Sequence, residues 1–348
     1  MAVPGSALGK LLSACDKSGE KSETAAKHFP DLLSELASGV HSPEVDAISA
    51  VLRATGSLAA RPALVRVSVP AGATIHVIGD LHGQLPELLC VLEICGAPEP
   101  GRNYLLFNGD FVDRGPQSVE VMLVLLAMVV AFPDCVHLNR GNHETRAMNR
   151  AYGFESEVLA KYSAEAFEEF QKAFTALPLA TLINASVLVL HGGLFGKDGV
   201  TLADIEGIDR ATGGSGSDPL ARDLLWSDPA PQPGRRRSPR GAGVLFGPDV
   251  TQQFCQENDL LCCIRSHEVV PAGFRWNHDG RCLTVFSAAN YGGRVENLGA
   301  VCHIRPSSGA KGRILASDLS LSTFTSPGLV ASWPPGVKVT PAHPRSRL

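Results

Sequence analysis

Short apolar runs, each followed at once by glycine beside Asp, Asn or His, recur through the first two thirds of the chain. Ile75–Ile78 leads into GDLHGQ at Gly79–Gln84, and Tyr104–Phe107 into GDFVDRG at Gly109–Gly115. Val136–Leu138 leads into RGNHE at Arg140–Glu144, and Val187–Leu190 into HGG at His191–Gly193. Such runs, bounded by turn residues, read as buried strands. Between the first two, Leu85, Leu88, Leu89, Leu92 and Cys95 repeat at helical spacing. The stretch Ser118–Val130 is apolar almost all round, which predicts a deeply buried helix. A further helix is expected over Ser163–Ala176, with Phe167, Phe170 and Phe174 on one core-facing stripe. Upstream, Ser42-Pro43 reads as a helix start, cap then first-turn proline, with Val45, Ile48, Val51 and Leu52 on one face. Val65–Val69 reads as a short strand, and Thr201–Asp204 as a capping box with Asp at its third position.

After His191 the pattern changes. Ala211–Asp218 and Asp228–Ala242 read as loops, the first rich in Gly and Ser, the second in Pro and Arg. The runs Leu260–Ile264, Cys282–Phe286 and Ala300–Ile304, with turn residues between them, read as a β-meander. Residues 1 to about 27 are polar and mixed and are expected to be mobile. From Pro306 onward the Ser/Pro/Gly-rich sequence is expected to be a tail that runs over the surface or lacks fixed structure. No repeat with a period of about twenty to fifty residues is present.

Composition narrows the class without naming it. At 348 residues, 44% hydrophobic and 19% charged, the chain suits one large or two small globular domains with a sizeable core. A formal net charge of −4 gives no field that would draw it to nucleic acid or an anionic membrane. The longest apolar stretch, Val119–Phe132, is too short to span a bilayer. The first nineteen residues lack the apolar core and small-residue cleavage site of a secretory signal. Asp16, Glu20 and Glu23 argue against a transit peptide. The nine cysteines are scattered, mostly in apolar runs, with no Cys-x-x-Cys pair. They read as reduced, buried thiols of a cytosolic or nuclear protein.

The strand exits carry the chemistry. Thirty residues separate Asp80 from Asp110, and thirty-two separate Asp110 from Asn142. A strand–helix–strand unit takes about thirty residues, so adjacent strands of one sheet would bring all three to its carboxyl edge, where ligands gather. Asp80 and His82 are two apart, and in extended backbone both can reach one ion. Asp110 is the natural bridging carboxylate, Asn142 offers a neutral carbonyl, and His191 and His267 end later strands. Two ions about 3.5–4 Å apart would clamp the attacking and leaving oxygens of a phosphoryl transfer. A single Asp-x-His would merely end a strand; four glycine-bracketed clusters at this spacing point to a shared site. His76, His137 and His303 lie inside strands and read as core or edge histidines. Arg235–Arg237 reads as solvated charge, with nuclear targeting or a kinase site at Ser238 as the sharper readings.

GDLHG, GDFVDRG, RGNHE, HGGL, LLWSDP, RSHE and FSAANYGG together resemble the PPP family of metal-dependent protein serine/threonine phosphatases. ETRAMNRAYGFESEV, DGVTLADI, FGPDVT and RCLTVFSA are similar to its protein phosphatase 5 branch. The resemblance runs over roughly Val45–Arg305. It implies an α/β calcineurin-like metallophosphoesterase fold, a central β-sandwich flanked by helices. The corresponding division is an N-terminal extension over residues 1–40, a catalytic domain over 41–310 and a tail over 311–348. The resemblance also implies two divalent metal ions, of manganese, iron, zinc or magnesium type. Asp80, His82 and Asp110 would hold one, and Asp110, Asn142, His191 and His267 the other. A metal-bridging hydroxide would attack the phosphoserine or phosphothreonine ester. No Asp-x-Asp nucleophile and no Cys-x5-Arg loop is present, so a phosphoenzyme is not expected. His143, oriented by Asp113, would protonate the leaving oxygen. Arg114, Arg240 and Tyr291 match the family's phosphate-binding residues, and Asn142 would also face substrate. Trp226 is expected to pack beside the site. Implied partners are phosphorylated proteins, with regulatory subunits left open, and neither nucleic acid nor membrane.

Two departures from the family stand out. Some forty residues precede the similar region, too few for the three inhibitory helical repeats of that branch. A constitutively open catalytic subunit is therefore the expectation. Ala289 stands where the family has proline and Gly292 where it has cysteine, so the loop around Tyr291 is expected to be more mobile. Two other readings remain: a dinucleotide polyphosphate hydrolase with the same centre, and a phosphoprotein-binding pseudophosphatase. The second should have lost a ligand or an arginine, and none is lost.

Overall fold

A computed structural model describes residues 5–16, 21–213, 218–308 and 312–326. Its strands are β1 (Leu64–Val67), β2 (Thr74–Ile78), β3 (Asn103–Asn108), β4 (Val136–Asn139), β5 (Ala180–Ile183), β6 (Val187–Leu190), β7 (Asp228–Pro229), β8 (Arg235–Arg237), β9 (Val244–Phe246), β10 (Cys262–Arg265), β11 (Phe274–Asn277), β12 (Cys282–Val285), β13 (Gly299–Ile304) and β14 (Leu319–Phe324). Six form one sheet in the order β1-β5-β6-β10-β12-β11, and five form a second in the order β14-β13-β2-β3-β4. Apolar side chains alternate along the first sheet. Val187, Val189, Cys262, Ile264, Leu283 and Val285 face the second sheet, sharing a core with Ile75, Val77, Leu105 and Phe107. Leu188, Leu190, Cys263 and Cys282 point the other way, into a smaller core with the helices Pro219–Trp226 and Pro248–Glu257. The expected sandwich flanked by helices is the observed architecture.

β2, β3 and β4 are adjacent and parallel, joined through the helices Leu85–Cys95 and Ser118–Ala131. Buried on both faces, they read as continuous apolar runs, as parallel strands do. In the other sheet β6, β10 and β12 are also parallel. The later strands are thus not a simple meander: β13 leaves for the second sheet, where it pairs with β2.

Several expectations need correction. The N-terminal stretch expected to be mobile contains the helices Ala7–Asp16 and Lys21–Ala37, packed against Ser118–Ala131. Leu8, Leu11, Leu12 and Leu32 are fully buried. The reason lies in Ser118–Ala131 itself, whose apolar faces need cover on every side. Polar ties fix the attachment: the Ser6 hydroxyl donates to Asp46, and Arg53 reaches Asp16 at 2.7 Å. The next helix begins at Glu44 with Pro43 as its cap, and Ser42 makes no capping bond. Its buried face is Ala47, Ala50, Val51, Ala54 and Leu58, while Val45 and Leu52 are exposed. Small residues on that face let the helix approach Ser118–Ala131 and Ala164–Ala176 closely. At the other end, part of the expected tail is β14, an antiparallel partner of β13. Residues 327–348 lie outside the described residues. The region expected to be a Pro/Arg loop holds β7 and β8, which with β9 form a third, small sheet. Arg235 there pairs with Asp198 at 2.8 Å, and Ser238 is buried, closed to a kinase. The capping box at Thr201–Asp204 and the Phe167/Phe170/Phe174 core stripe are both present.

His76 and His303 pair across β2 and β13, Nδ1 to Nδ1 at 2.6 Å, as core-edge histidines. His137 in β4 is buried with neither ring nitrogen hydrogen-bonded. Burial, with the nearby Arg61 charge, lowers its pKa from 6.5 to about 3. A pKa lowered on folding leaves stability intact above 6.5, and stability is then lost as pH falls from there toward 3. At pH 5 the loss would be about 2 kcal/mol at 1.36 kcal/mol per unit. His137→Leu should therefore flatten the decline in denaturation midpoint between pH 7.5 and 5. Leu11→Ala should cost about 2–4 kcal/mol in the same assay; a negligible cost would mean that the N-terminal helix is not part of the cooperative unit.

Candidate metal centre

Each strand exit turns sharply, and the chemistry sits in the turn. His82, Asp110, Asp113, Arg114 and His267 all have positive φ, from 45° to 74°. Side-chained residues adopt that conformation only when the surroundings impose it. Glycine permits the close approach that does so. A Cβ on Gly79 would lie 2.2 Å from the Val285 carbonyl oxygen, where the β2 exit meets the end of β12. One on Gly109 would lie 2.5 Å from Gly141 N and 2.8 Å from His191 Nδ1.

The turns aim the imidazoles. His82 Nδ1 donates to the Val112 carbonyl at 3.0 Å, which leaves Nε2 facing Asp80 Oδ2 and Asp110 Oδ2, each at 3.6 Å. His191 Nδ1 donates to the Asn108 carbonyl at 2.8 Å, which leaves Nε2 facing Asp110 Oδ1 at 3.3 Å. Backbone carbonyls thus fix which nitrogen presents its lone pair, as at metal sites. The His267 amide donates to Asp80 Oδ1 at 3.0 Å, and its Nδ1 lies 3.3 Å from His191 Nε2. All six residues anticipated as ligands, Asp80, His82, Asp110, Asn142, His191 and His267, are therefore brought together. Two donor groups emerge, His82/Asp110/His143 and Asp110/His191/His267, with Asp110 common to both. The first contains His143, which the sequence assigned to proton transfer.

The donor set suits cations. One end of the Asn142 amide lies 2.9 Å from His267 Nδ1, 3.1 Å from His191 Nε2, and 3.1 and 3.2 Å from the Asp110 oxygens. His267 Nε2 is buried and unpartnered. So many buried electron-pair donors repel one another unless protons or positive charge lie among them. The pKa shifts of these groups carry that tension. Burial pushes the Asp110 carboxyl up, but His191, His143 and His82 outweigh it and hold it well below the usual range. Burial lowers His191, but Asp110 and Asp80 raise it to about 9. Burial, then the charges of His191, Arg240 and Arg265, push His267 well below 6.5.

Beside the donors sits a positioned histidine. His143 Nδ1 meets Asp113 Oδ2 at 2.8 Å. Asp113 is fully buried and also accepts from Phe154 N at 2.9 Å and Asn149 Nδ2 at 3.2 Å. Asp113 is thus placed to orient the ring. Arg240 is half-buried and held by Asp228 at 2.5 and 3.3 Å; Asp228 also binds the buried Arg265 at 2.8 Å. Arg114 is exposed, with its guanidinium over the Tyr152 ring. Tyr291 packs against His82, ring centroids 5.0 Å apart, and Trp226 against His267 at 5.8 Å. The loop carrying Tyr291 is braced by the buried Asn297, which accepts from Tyr291 N at 2.9 Å and donates to the Ala288 and Leu298 carbonyls. Gln84 donates to Ala289 O at 2.9 Å. These bonds tie down the loop that the absence of the family's proline led us to expect to be more mobile.

The sequence reading missed Glu144. Its buried carboxylate accepts from the backbone N–H groups of Asp110, Phe111 and Gly141 at 2.8, 2.8 and 2.9 Å. It locks the β3 exit to the β4 exit, and its only sequence signal was its place beside His143. Burial and the Asp110 charge raise its pKa to about 7. Glu144→Gln replaces one acceptor oxygen with an N–H donor facing N–H donors. The variant should retain less divalent metal by elemental analysis and unfold at lower temperature; an unchanged metal content would mean that the lock does not shape the donor set.

The family model for calcineurin-like phosphoesterases matches residues 73–271. Serine/threonine-protein phosphatase 5 of Homo sapiens is 51% identical over 244 residues, 70% of this chain and 48% of that protein. Serine/threonine-protein phosphatase T of Schizosaccharomyces pombe is 48% identical over 245 residues, 70% of this chain and 52% of that one. The chain spans about half the length of the curated relatives it matches. A solved structure of a Saccharomyces cerevisiae protein serine/threonine phosphatase, described as similar to human phosphatase PP5, superposes with TM-score 0.78. It is 38% identical and covers 82% of this chain and 91% of its own. With its donor residues, its two-sheet frame and these relatives in agreement, the chain belongs to the calcineurin-like phosphoesterase family.

Proposed function

We propose that the chain is a protein serine/threonine phosphatase that hydrolyses phosphoserine and phosphothreonine at a dinuclear metal centre. The observation that carries this reading is the pair of donor groups sharing Asp110, with a carboxylate-oriented histidine beside them. The names of the relatives favour phosphoproteins as substrates. Asp80, His82 and Asp110 would hold one cation and Asp110, Asn142, His191 and His267 the other, with manganese the first candidate and iron, zinc or magnesium the others. When bound, such a pair supplies an activated water and neutralises charge on the phosphoryl oxygens.

The remaining work falls to side chains. The Asp113 carboxylate accepts from His143 Nδ1 and so aims Nε2 at the departing seryl or threonyl oxygen, to which it would deliver a proton. Arg240, held by Asp228, and Arg114 offer planar N–H edges that match two phosphate oxygens. Tyr291 closes the pocket over His82. The buried free thiols support a reducing setting, cytosolic or nuclear.

The test compares turnover of a phosphothreonine peptide with that of diadenosine tetraphosphate by the purified chain. The peptide should be strongly preferred; the opposite preference would make the chain a dinucleotide polyphosphate hydrolase. Chelation should abolish turnover and manganese restore it. His143→Asn should lower kcat by about 10²- to 10⁴-fold without lowering the thermal midpoint. Asn142→Asp should lower turnover by orders of magnitude with the fold intact.

A further inference from the structure

The two arginines expected at the phosphate are held by opposite means. Arg240 is gripped by the Asp228 carboxylate at 2.5 and 3.3 Å, so part of its N–H edge is occupied. Arg114 is exposed, and among the described residues no hydrogen bond or ion pair holds its guanidinium. The guanidinium carbon instead lies 3.8 Å from the centroid of the Tyr152 ring. The backbone repeats the contact: Arg114, strained at φ 74°, donates its N–H to the Tyr152 carbonyl at 3.1 Å. One residue therefore holds Arg114 at both ends.

Tyr152 is itself well placed to do so. It ends the helix Arg146–Tyr152, and Gly153 reverses the chain at φ 119°. Phe154, fully buried, then donates its N–H to Asp113. The tyrosine ring also lies 5.3 Å from that of His143. It thus sits between a phosphate-binding arginine and the histidine expected to donate a proton, anchored to the carboxylate that orients that histidine. At 38% exposed, its ring is not a core element.

The chemistry favours this arrangement. A free arginine head samples many rotamers, and ordering it on an anion weakens binding. A carboxylate would order it but would engage its donors and offset its charge. An aromatic face fixes the plane of the guanidinium and leaves its N–H edge open. We propose that Tyr152 is a positioning residue for phosphate recognition, holding Arg114 so that its free edge meets the oxygens of a phosphate monoester. This rests on the phosphatase reading above.

The test uses Tyr152→Phe, which keeps the ring, and Tyr152→Leu, which keeps apolar bulk without a π face. Tyr152→Met serves the same comparison if the leucine variant does not fold. Orthophosphate binding to the manganese-loaded full chain is read by calorimetry, with kcat and KM on a phosphothreonine peptide, each repeated with Arg114→Ala. Tyr152→Phe should stay within about twofold of the parent. Tyr152→Leu should weaken orthophosphate binding roughly fivefold to thirtyfold and raise KM more than it lowers kcat. With Arg114→Ala present, it should cost nothing more. An unchanged affinity, no orthophosphate binding by the parent, or an equal loss in the Arg114→Ala background would overturn the inference. Orthophosphate binding that follows this pattern without peptide turnover would instead sink the phosphatase reading and leave the role of Tyr152 standing.

Discussion

The candidate centre exists only because two sheets are held at a fixed offset, and a buried polar seam sets that offset. Asn108, the last residue of β3, donates to the Leu190 carbonyl at 2.8 Å and to Ser266 Oγ at 2.9 Å in the opposite sheet. Asn139, the last residue of β4, donates to Asn108 at 2.9 Å and to the Val189 carbonyl at 3.1 Å, while Thr181 donates to it at 2.7 Å. Apolar contacts alone would tolerate sliding, because dispersion is non-directional. Buried amides do not, since each lost bond leaves an unsatisfied group costing about 1–3 kcal/mol. The seam lies one residue before the turns that present Asp110 and His191, so its precision passes directly to the donor atoms.

Charge is held in place by two different means around the centre. Where a cation must stay at one spot, a buried carboxylate holds it, as Asp228 holds Arg240 and Arg265. Where donors must stay open, backbone carbonyls or a ring face orient the group without neutralising it, as at His82, His191 and Arg114. Glu144 inverts the pattern, a carboxylate spending its oxygens on backbone N–H groups to fix loops rather than charge.

Much of this was legible in the chain. The thirty-residue spacing of Asp80, Asp110 and Asn142 gave three adjacent parallel strands, because local crossover geometry leaves little choice. His191 and His267 were marked by their places at strand ends, but no spacing rule tied them to the first three. They come from the other sheet, and inter-sheet packing has no sequence period. The N-terminal helices were misread although Leu8, Leu11, Leu12 and Cys15 do repeat at helical spacing. Ten residues are marginal as an isolated helix, and their stability comes from the surface they cover. Val45 and Leu52 misled for the converse reason: apolar residues can remain at the surface, and the close helix contact went to alanines instead. The β8 strand was hidden because Arg235–Arg237 reads as charge, yet edge strands tolerate charge well.

The left-handed turns at the strand exits have an evolutionary consequence. His82, Asp110, Asp113 and His267 are of residue types that accept positive φ comparatively readily, and β-branched side chains almost never do. Drift at these positions is therefore confined by backbone shape before chemistry is considered. A relative without catalytic activity would still be steered toward Asn, Asp, His or Gly there. Persistence of such residues in a silent relative would testify to the bend of the chain, and only the lone-pair geometry around them would testify to catalysis.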